Sequence, residues 1–454
     1  MCIIYSRIIV FMKKKLIACS GAAAVSLMLA GCLTMADYNY SRIDSNLKSG
    51  KYGDIKTELQ ENSSFIYSSK DEVLENLDNG IISHFNREFS ESNRSLEKAE
   101  RLMKKYAGED FAQTITALVT NDNSLNYKGE DFEDLYASIF MSLNYAHLGK
   151  NEDAMVEVRR FDNKMKLLKQ HYEQEIEKTN QNSQGVSVDK VSIAFSDSAL
   201  ARWLSMIMYR SDGDEGNAEV DQRFIGEAFK KQSGLYNFAV PQSIQDDARI
   251  PAKGKGRLNV IAFSGRAPVK KENTIRVPFG LSNWYKLSLP SMDKRKSEIT
   301  HISLTAVNSV TGETVSTGLE KIESIENIAI DTFQQNYSIL LSRALIRSIA
   351  RTAVSTGLDQ AQSDDRIASD FGAQLLISSM QLMTLIYTES VERADVRTSR
   401  YFPATASVTG ITLDEGHWNV TVNYYNGRKL LFSEAQTLTV KNRGLNLVES
   451  ACLR

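Results

Sequence analysis

Apolar residues recur at helical spacing from about Tyr38 to Asp247, in a loosely repeated arrangement. Each unit has one amphipathic helix, a small or glycine-containing turn and a second helix, and the unit over residues 135–165 is the clearest. Apolar residues at positions i, i+3 and i+4 place one buried stripe on each of these helices. A further helical pair is predicted over residues 199–231, with Trp203 and Phe224 facing inward.

The unit that begins at Tyr136 resembles a tetratricopeptide repeat. Its Leu148-Gly149-Lys150 turn and the following Ala154 stand where that repeat has Leu-Gly and Ala residues, at the close crossing of two antiparallel helices. The units are unevenly spaced, because residues 106–126 add length between the second and the third. A plain, irregular helical domain is therefore the alternative. A stacked helical array has a concave face, and such faces usually bind protein segments.

The pattern changes near Pro251, where Lys253-Gly-Lys-Gly256 is typical of a linker before an apolar, strand-like run. Asn426-Gly427 predicts a tight hairpin turn. The strand-like segments are residues 258–263, 274–277, 285–289, 299–307, 405–413, 418–425 and 430–440. Two helices are predicted, at about Ala329 to Gly357 and Asp370 to Arg393. We therefore expect an α+β domain in which a mostly antiparallel sheet is packed by two helices.

The first 31 residues have the pattern of a secretion signal. Lys13, Lys14 and Lys15 precede an apolar run over residues 16–29, which is shorter than the ~20 residues that a membrane-spanning helix needs. The run ends in Leu29, Ala30, Gly31 and Cys32, which resemble a lipobox. We expect the Cys32 thiol to be diacylated and the chain to be cut just before it. Met12 is interpreted as the true initiator, because Met-Lys-Lys-Lys is by itself an ordinary start of such a signal.

Composition restricts the class of protein. The chain is 42% hydrophobic and 24% charged, and 54 basic against 56 acidic residues give a formal charge of −2, so no general attraction for nucleic acid is expected. About 420 residues remain after the signal, which favours two domains, over residues 32–250 and 251–454. Cys452 would be the one thiol free of lipid in the mature chain, so no intramolecular disulfide is predicted.

Candidate chemistry is sparse. Arg343, Arg347 and Arg351 stand at four-residue spacing and would line one face of a helix, where they could hold a phosphate, a sugar acid or an acidic partner. The alternative is an ordinary solvated face. We predict no catalytic residue, no metal site and no cofactor, since the histidines lack the paired spacing of metal ligands and no nucleophile motif is present. The histidines are His84, His147, His171, His301 and His417.

Several short motifs together resemble an uncharacterised family of bacterial lipoproteins with a tetratricopeptide-like N-terminal half. The motifs are Ser49-Gly-Lys-Tyr52, Tyr127-Lys-Gly-Glu-Asp-Phe-Glu133, Leu143-Asn-Tyr145, Glu157-Val-Arg-Arg160, Ser264-Gly-Arg-Ala-Pro268, Ala394-Asp-Val-Arg397 and Phe402-Pro403. One departure is that Thr398 and Ser399 follow Arg397, where an aromatic residue is expected. The resemblance implies an envelope accessory protein, in some cases acting beside activators of peptidoglycan synthases, and implies no enzymatic activity.

These observations favour a non-enzymatic scaffold that is tethered through lipid on Cys32 to the periplasmic face of the outer membrane and binds envelope proteins. Leu33, rather than an aspartate, follows the cysteine, which is consistent with delivery to the outer membrane. One alternative is an envelope hydrolase acting on peptidoglycan or glycan, which would need two facing carboxyl groups roughly 5–10 Å apart. The other is an accessory to a secretion or appendage-assembly channel.

Overall fold

The computed structural model describes residues 38–107, 126–181, 195–279, 283–336 and 395–454. Of the two helices predicted for the C-terminal part, the first is described as a helical segment over residues 325–336. The second, predicted over residues 370–393, lies outside the described ranges. Within these ranges the chain is a mixed α/β protein, with helices in the N-terminal half and a mostly antiparallel sheet after them.

The predicted helical pairs are present as consecutive helices with short links. The helices are α1 (Ser41–Lys48), α2 (Tyr52–Glu61), α3 (Ser63–Ile66), α4 (Glu72–Phe85), α5 (Phe89–Ala107), α6 (Asp131–His147), α7 (Asn151–Gln181), α8 (Ala199–Ser211), α9 (Glu215–Lys231) and α10 (Ile244–Asp247). The links α1–α2, α6–α7 and α8–α9 each contain a glycine at positive φ, namely Gly50 (66°), Gly149 (72°) and Gly213 (86°). This left-handed conformation ends a helix and favours glycine because it has no Cβ atom.

One of the inward positions predicted for the α8–α9 pair is wrong. Trp203 is fully buried, as expected, but Phe224 is 38% exposed. The buried positions of α9 include Ala218, Ile225 and Ala228, and Phe224 stands at the edge of that stripe. Its ring is covered instead by the Arg202 guanidinium, whose central carbon lies 4.9 Å from the ring centroid.

Seven strands form one sheet in the order β8-β7-β4-β5-β6-β1-β9, and β2 pairs with β3 as a separate hairpin. The strands are β1 (Lys255–Ser264), β2 (Val269–Phe279), β3 (Asn283–Asp293), β4 (His301–Asn308), β5 (Thr314–Ser324), β6 (Thr405–Asp414), β7 (Gly416–Asn426), β8 (Lys429–Val440) and β9 (Asn446–Cys452). Neighbours are antiparallel, except that β1 and β9 are parallel. The sheet nearly closes into a barrel, because Gln436 Nε2 on β8 donates to the Glu449 carbonyl on β9 at 2.5 Å.

Strand β1 is buried on both faces and separates two hydrophobic cores. Its Leu258, Val260 and Ala262 belong to a core inside the curved sheet, while Ile261 and Phe263 face the helices. This alternation follows from the two-residue period of a strand. Helices and sheet are therefore joined by the same hydrophobic layer.

Aromatic rings form the centre of the layer between helices and sheet. The Phe140 ring of α6 lies 5.3 Å from that of Phe263 on β1 and 5.8 Å from that of Phe402. The change from helices to strands occurs between α10 and β1, where the composition changes. Whether residues 32–250 and 251–454 are separate domains stays a prediction, and the shared core argues against it.

Candidate functional site

The candidate residues predicted from the sequence lie outside the described part of the chain. This holds for Leu29, Ala30, Gly31 and Cys32 of the lipobox and for Arg343, Arg347 and Arg351. Of the described helices, none combines the length and apolar character needed to cross a bilayer. Cys452 is buried in β9 and burial raises the pKa of its thiol to about 12, so its thiolate form is scarce near neutral pH.

Two of the motifs that carry the family resemblance lie together, although they are far apart in sequence. Arg397 donates from Nε and Nη2 to the two carboxylate oxygens of Asp395, at 2.9 Å each, and from Nη1 to Asp71 Oδ1 at 3.1 Å. Its guanidinium carbon also lies 5.4 Å from the centroid of the Tyr127 ring. Arg397 therefore ties the segment before β6 to the helical layer.

Glu133 on α6 binds the residues that depart from the family pattern. Its Oε1 accepts from Ser399 N at 2.6 Å and Thr398 Oγ1 at 3.2 Å, and its Oε2 accepts from the Tyr127 hydroxyl at 2.7 Å and Glu130 N at 2.8 Å. Burial raises the pKa of Glu133 to about 7, while the bonds from Glu130, Ser399 and Tyr127 oppose this shift. Both oxygens are occupied, so this carboxylate acts as a structural acceptor.

Asp78 and Asp131 extend this acidic network. Asp78 accepts from Ser399 Oγ at 2.6 Å and from the Tyr67 hydroxyl at 3.0 Å, and burial raises its pKa to about 6. Burial raises the pKa of Asp131 to about 7, and this side chain accepts from the Tyr172 hydroxyl. Carboxyl groups with a perturbed pKa are often found at active sites. Buried carboxyl groups that are hydrogen-bonded to neighbouring hydroxyls are equally typical of structural networks.

A second polar cluster joins the last strand to two helices. Glu449 on β9 accepts from His84 Nε2 at 2.5 Å and from His147 Nε2 at 2.7 Å. His84 Nδ1 lies 2.6 Å from Asn144 Oδ1, and the Asn144 amide nitrogen donates to Ser92 Oγ at 2.9 Å. Both ring nitrogens of His84 therefore lie within hydrogen-bond distance of a side-chain oxygen.

This cluster has little room for a ligand. The adjoining cavity measures 20 Å³, enough for about one water molecule. Among the residues that the structure describes, no group of three or more His, Cys, Asp or Glu side chains is arranged to hold a metal ion. His147 is the last residue of α6, and its bond to Glu449 gives it a structural role.

The larger described cavity lies beside β4 and β5 and has a volume of 520 Å³, within the usual range for small-ligand sites. Its charged lining is mostly basic, with Lys294, Arg295, Lys296 and Lys321 against one carboxylate, Glu326. Lys294 lies 3.3 Å from Glu326 and also donates to Asn327 Oδ1 at 2.6 Å. Chemically, this lining suits the binding of an anion better than acid–base catalysis.

This cavity was not predicted, although part of its signal is visible in the sequence. Lys294, Arg295 and Lys296 are consecutive after β3, and such a basic run marks a candidate anion contact. Lys321 comes near them because β5 passes beside that segment, and β5 was not predicted. Comparison with protein-family models, with curated proteins and with solved structures finds no match to this chain.

Proposed function

We propose that the protein is a lipoprotein of the cell envelope that faces the periplasm from the outer membrane and acts as a protein-binding scaffold or accessory in envelope assembly. The anchor would be lipid on Cys32, after the lipobox residues Leu29 to Gly31. Residues 33–37 separate this cysteine from Tyr38, where the described structure begins, so the helical layer would lie close to the bilayer.

The observation that carries the scaffold proposal is the solvent-facing side of α7. Val156 is 49% exposed and Leu167 is 63% exposed, and they stand about three turns apart on the same side of this helix. The opposite side is buried through residues such as Phe161 and Met165. Exposed apolar side chains on a rigid helix gain free energy when a partner covers them.

We interpret the α4–α5, α6–α7 and α8–α9 pairs as tetratricopeptide-like repeats whose outer side receives a protein segment. The glycine turns of the α6–α7 and α8–α9 pairs and the stripe of buried residues in each helix support this interpretation, whereas the α4–α5 turn has Arg87 at a φ of 61°. The sheet packs against the helical layer through Phe263 and Phe402, which would hold the binding side in one shape.

The distribution of carboxylates supports binding rather than hydrolysis. The one carboxylate in the described lining of the larger cavity, Glu326, is paired with Lys294. Glycoside hydrolysis generally needs two carboxyl groups facing the same bond. Glu133 and Asp78 are both buried and hydrogen-bonded within the protein interior.

The test is crosslinking in intact cells, followed by purification of the lipid-anchored protein. We expect the double change Val156→Asp and Leu167→Asp to reduce recovery of crosslinked envelope proteins at least tenfold without lowering the thermal midpoint. Lys166→Gln with Lys169→Gln, at exposed polar positions further round the same helix from Val156 and Leu167, makes the same change in net charge; this matched control should leave recovery unchanged.

Fractionation of the same cells tests the anchor. Cys32→Ala should release the protein from membranes after a high-salt wash, because no lipid can then be attached. The proposal is wrong if the Cys32→Ala protein stays with membranes. It is equally wrong if recovery of partners does not depend on Val156 and Leu167.

A further inference from the structure

The larger cavity concentrates positive charge on a protein that is slightly acidic overall. Four cations and one carboxylate give its described lining a formal charge of +3, whereas the whole chain has a formal charge of −2. Charge of one sign in a concave site focuses the electrostatic potential and attracts ligands of the opposite sign.

Two of these lysines have no carboxylate partner among the residues that the structure describes. The Lys321 ammonium instead lies 5.2 Å from the centroid of the Phe238 ring, and burial lowers its pKa. Lys296 is exposed at the cavity and makes no ion pair within the described ranges. Lys321 is partly removed from water, and the nearby carboxylate Glu326, which opposes the lowering of the Lys321 pKa, is already paired with Lys294, so an anion beside Lys321 would be stabilised.

Arg295 is held in place by hydrogen bonds to two backbone carbonyls. Its Nε donates to the Ala267 carbonyl at 2.7 Å and its Nη2 donates to the Arg400 carbonyl at 2.8 Å. Both acceptors are neutral. Burial lowers the pKa of Arg295 to about 9, and repulsion from Arg266 and Arg400 adds to the effect.

We infer that this cavity is a binding site for a phosphate-bearing anion. Lysine ammonium groups act as point charges that suit a phosphate, and Arg295 is fixed beside them by its backbone contacts. The volume of 520 Å³ is large enough for a phosphorylated small molecule or for the headgroup of an anionic lipid. The inference does not depend on lipid at Cys32 or on the apolar side of α7.

The experiment titrates the full-length protein with inorganic pyrophosphate by isothermal titration calorimetry at low salt. A parallel arm measures sedimentation with vesicles of phosphatidylglycerol or of phosphatidylcholine, using non-lipidated Cys32→Ala protein. The test variant is Lys296→Gln with Lys321→Gln. The control, Lys104→Gln with Lys105→Gln at exposed positions of α5, removes the same charge away from the cavity.

We expect the cavity variant to lose at least tenfold in affinity, the control to change less than twofold, and binding to weaken with salt. Pyrophosphate binding with this dependence would identify a soluble phosphate ligand. Binding confined to phosphatidylglycerol vesicles, with the same dependence on Lys296 and Lys321, would identify a lipid headgroup. The inference is overturned if neither probe binds, or if the control variant loses as much affinity as the cavity variant.

Discussion

Two buried carboxylates of the sheet, Glu323 and Glu449, each join it to the helical layer. Glu323 on β5 accepts from the hydroxyls of Tyr136 at 2.5 Å and Tyr236 at 2.9 Å, and from Leu200 N at 3.0 Å in the first turn of α8. Glu449 on β9 accepts from two histidines of the helical layer. In both cases a buried polar group is compatible with folding because donors from distant parts of the chain converge on it.

The pair of Glu449 and His84 makes stability sensitive to acid. The neighbouring His84 and His147 hold the pKa of Glu449 well below its usual range, against the opposing effect of burial. A carboxyl group whose pKa is lower in the folded than in the unfolded state raises the free energy of unfolding. This contribution is complete at pH values above the unfolded pKa and is lost as the pH falls toward the folded pKa. The relevant window therefore lies below about pH 4.5.

We expect Glu449→Gln to lower the free energy of unfolding by about 3–5 kcal/mol near pH 7, because the substitution leaves His84 buried without its counter-charge. The difference from the unsubstituted protein should shrink steadily as the pH falls from about 4.5 to 2. Urea unfolding at several pH values measures this. Glu313→Gln, at an exposed position, should change stability by less than ~0.5 kcal/mol at each pH. A difference that stays constant with pH would contradict the assigned ion pair.

The residues of the larger cavity show which parts of a binding site can be predicted from the sequence. The consecutive Lys294, Arg295 and Lys296 are visible in the sequence, but a basic run is usually solvated. Only the path of β5 brings Lys321 to them, and only the fold shows that Arg295 donates to neutral carbonyls. A binding cavity assembled from separate strands has no local pattern by which it could be recognised.

At the scale of elements, periodicity predicted the helices well and the strands partly. The helical pairs were predicted because each helix has one continuous apolar stripe. Strand β5 was missed because its first half, from Thr314 to Gly318, is polar or small at most positions and faces solvent. Strand β9 was missed because Asn446, Glu449 and Ser450 are buried polar residues, which satisfy their hydrogen bonds through distant partners.

The packing of α4 on α5 depends on a glycine in the middle of α4. A Cβ atom added at Gly80 would lie 2.6 Å from Leu96 Cδ2 and 2.7 Å from Leu96 Cγ. Gly226 in α9 has open space at the same position. Alanine substitutions at these two glycines therefore distinguish the effect of helix propensity on stability from the effect of packing.

We expect Gly226→Ala to raise the free energy of unfolding by about 0.5–1 kcal/mol, since alanine favours the helix and contacts nothing. Gly80→Ala should lower it by about 1–3 kcal/mol despite the same gain in propensity, because α4 and α5 must move apart. Thermal denaturation of both variants measures the difference. Stabilisation by Gly80→Ala would show that the helices are not packed as closely as described.

At the scale of the whole molecule, the helical layer and the sheet depend on each other. Phe263 and Phe402 bury their rings against Phe140 of α6, and one continuous core includes residues of both parts. The change of composition near Pro251 predicted the position at which helices give way to strands. It could not show the shared core, because burial between distant segments leaves the periodicity of each segment unchanged.

We therefore expect the two halves to fold only together. A protease that cuts between Lys253 and Gly256 should leave the fragments associated, so that they elute as one species in size-exclusion chromatography without denaturant.

Expression of each half alone is a second test. Residues 38–250 or 251–454 would expose their side of the Phe140–Phe263–Phe402 layer, and each ring that loses its burial costs about 1.5–3 kcal/mol of stability. Either half alone should therefore aggregate or unfold without cooperativity. Calorimetry of the full chain serves as the reference and should show the two halves unfolding in one transition. Separate elution of the fragments, or cooperative unfolding of either half alone, would instead support two independent domains.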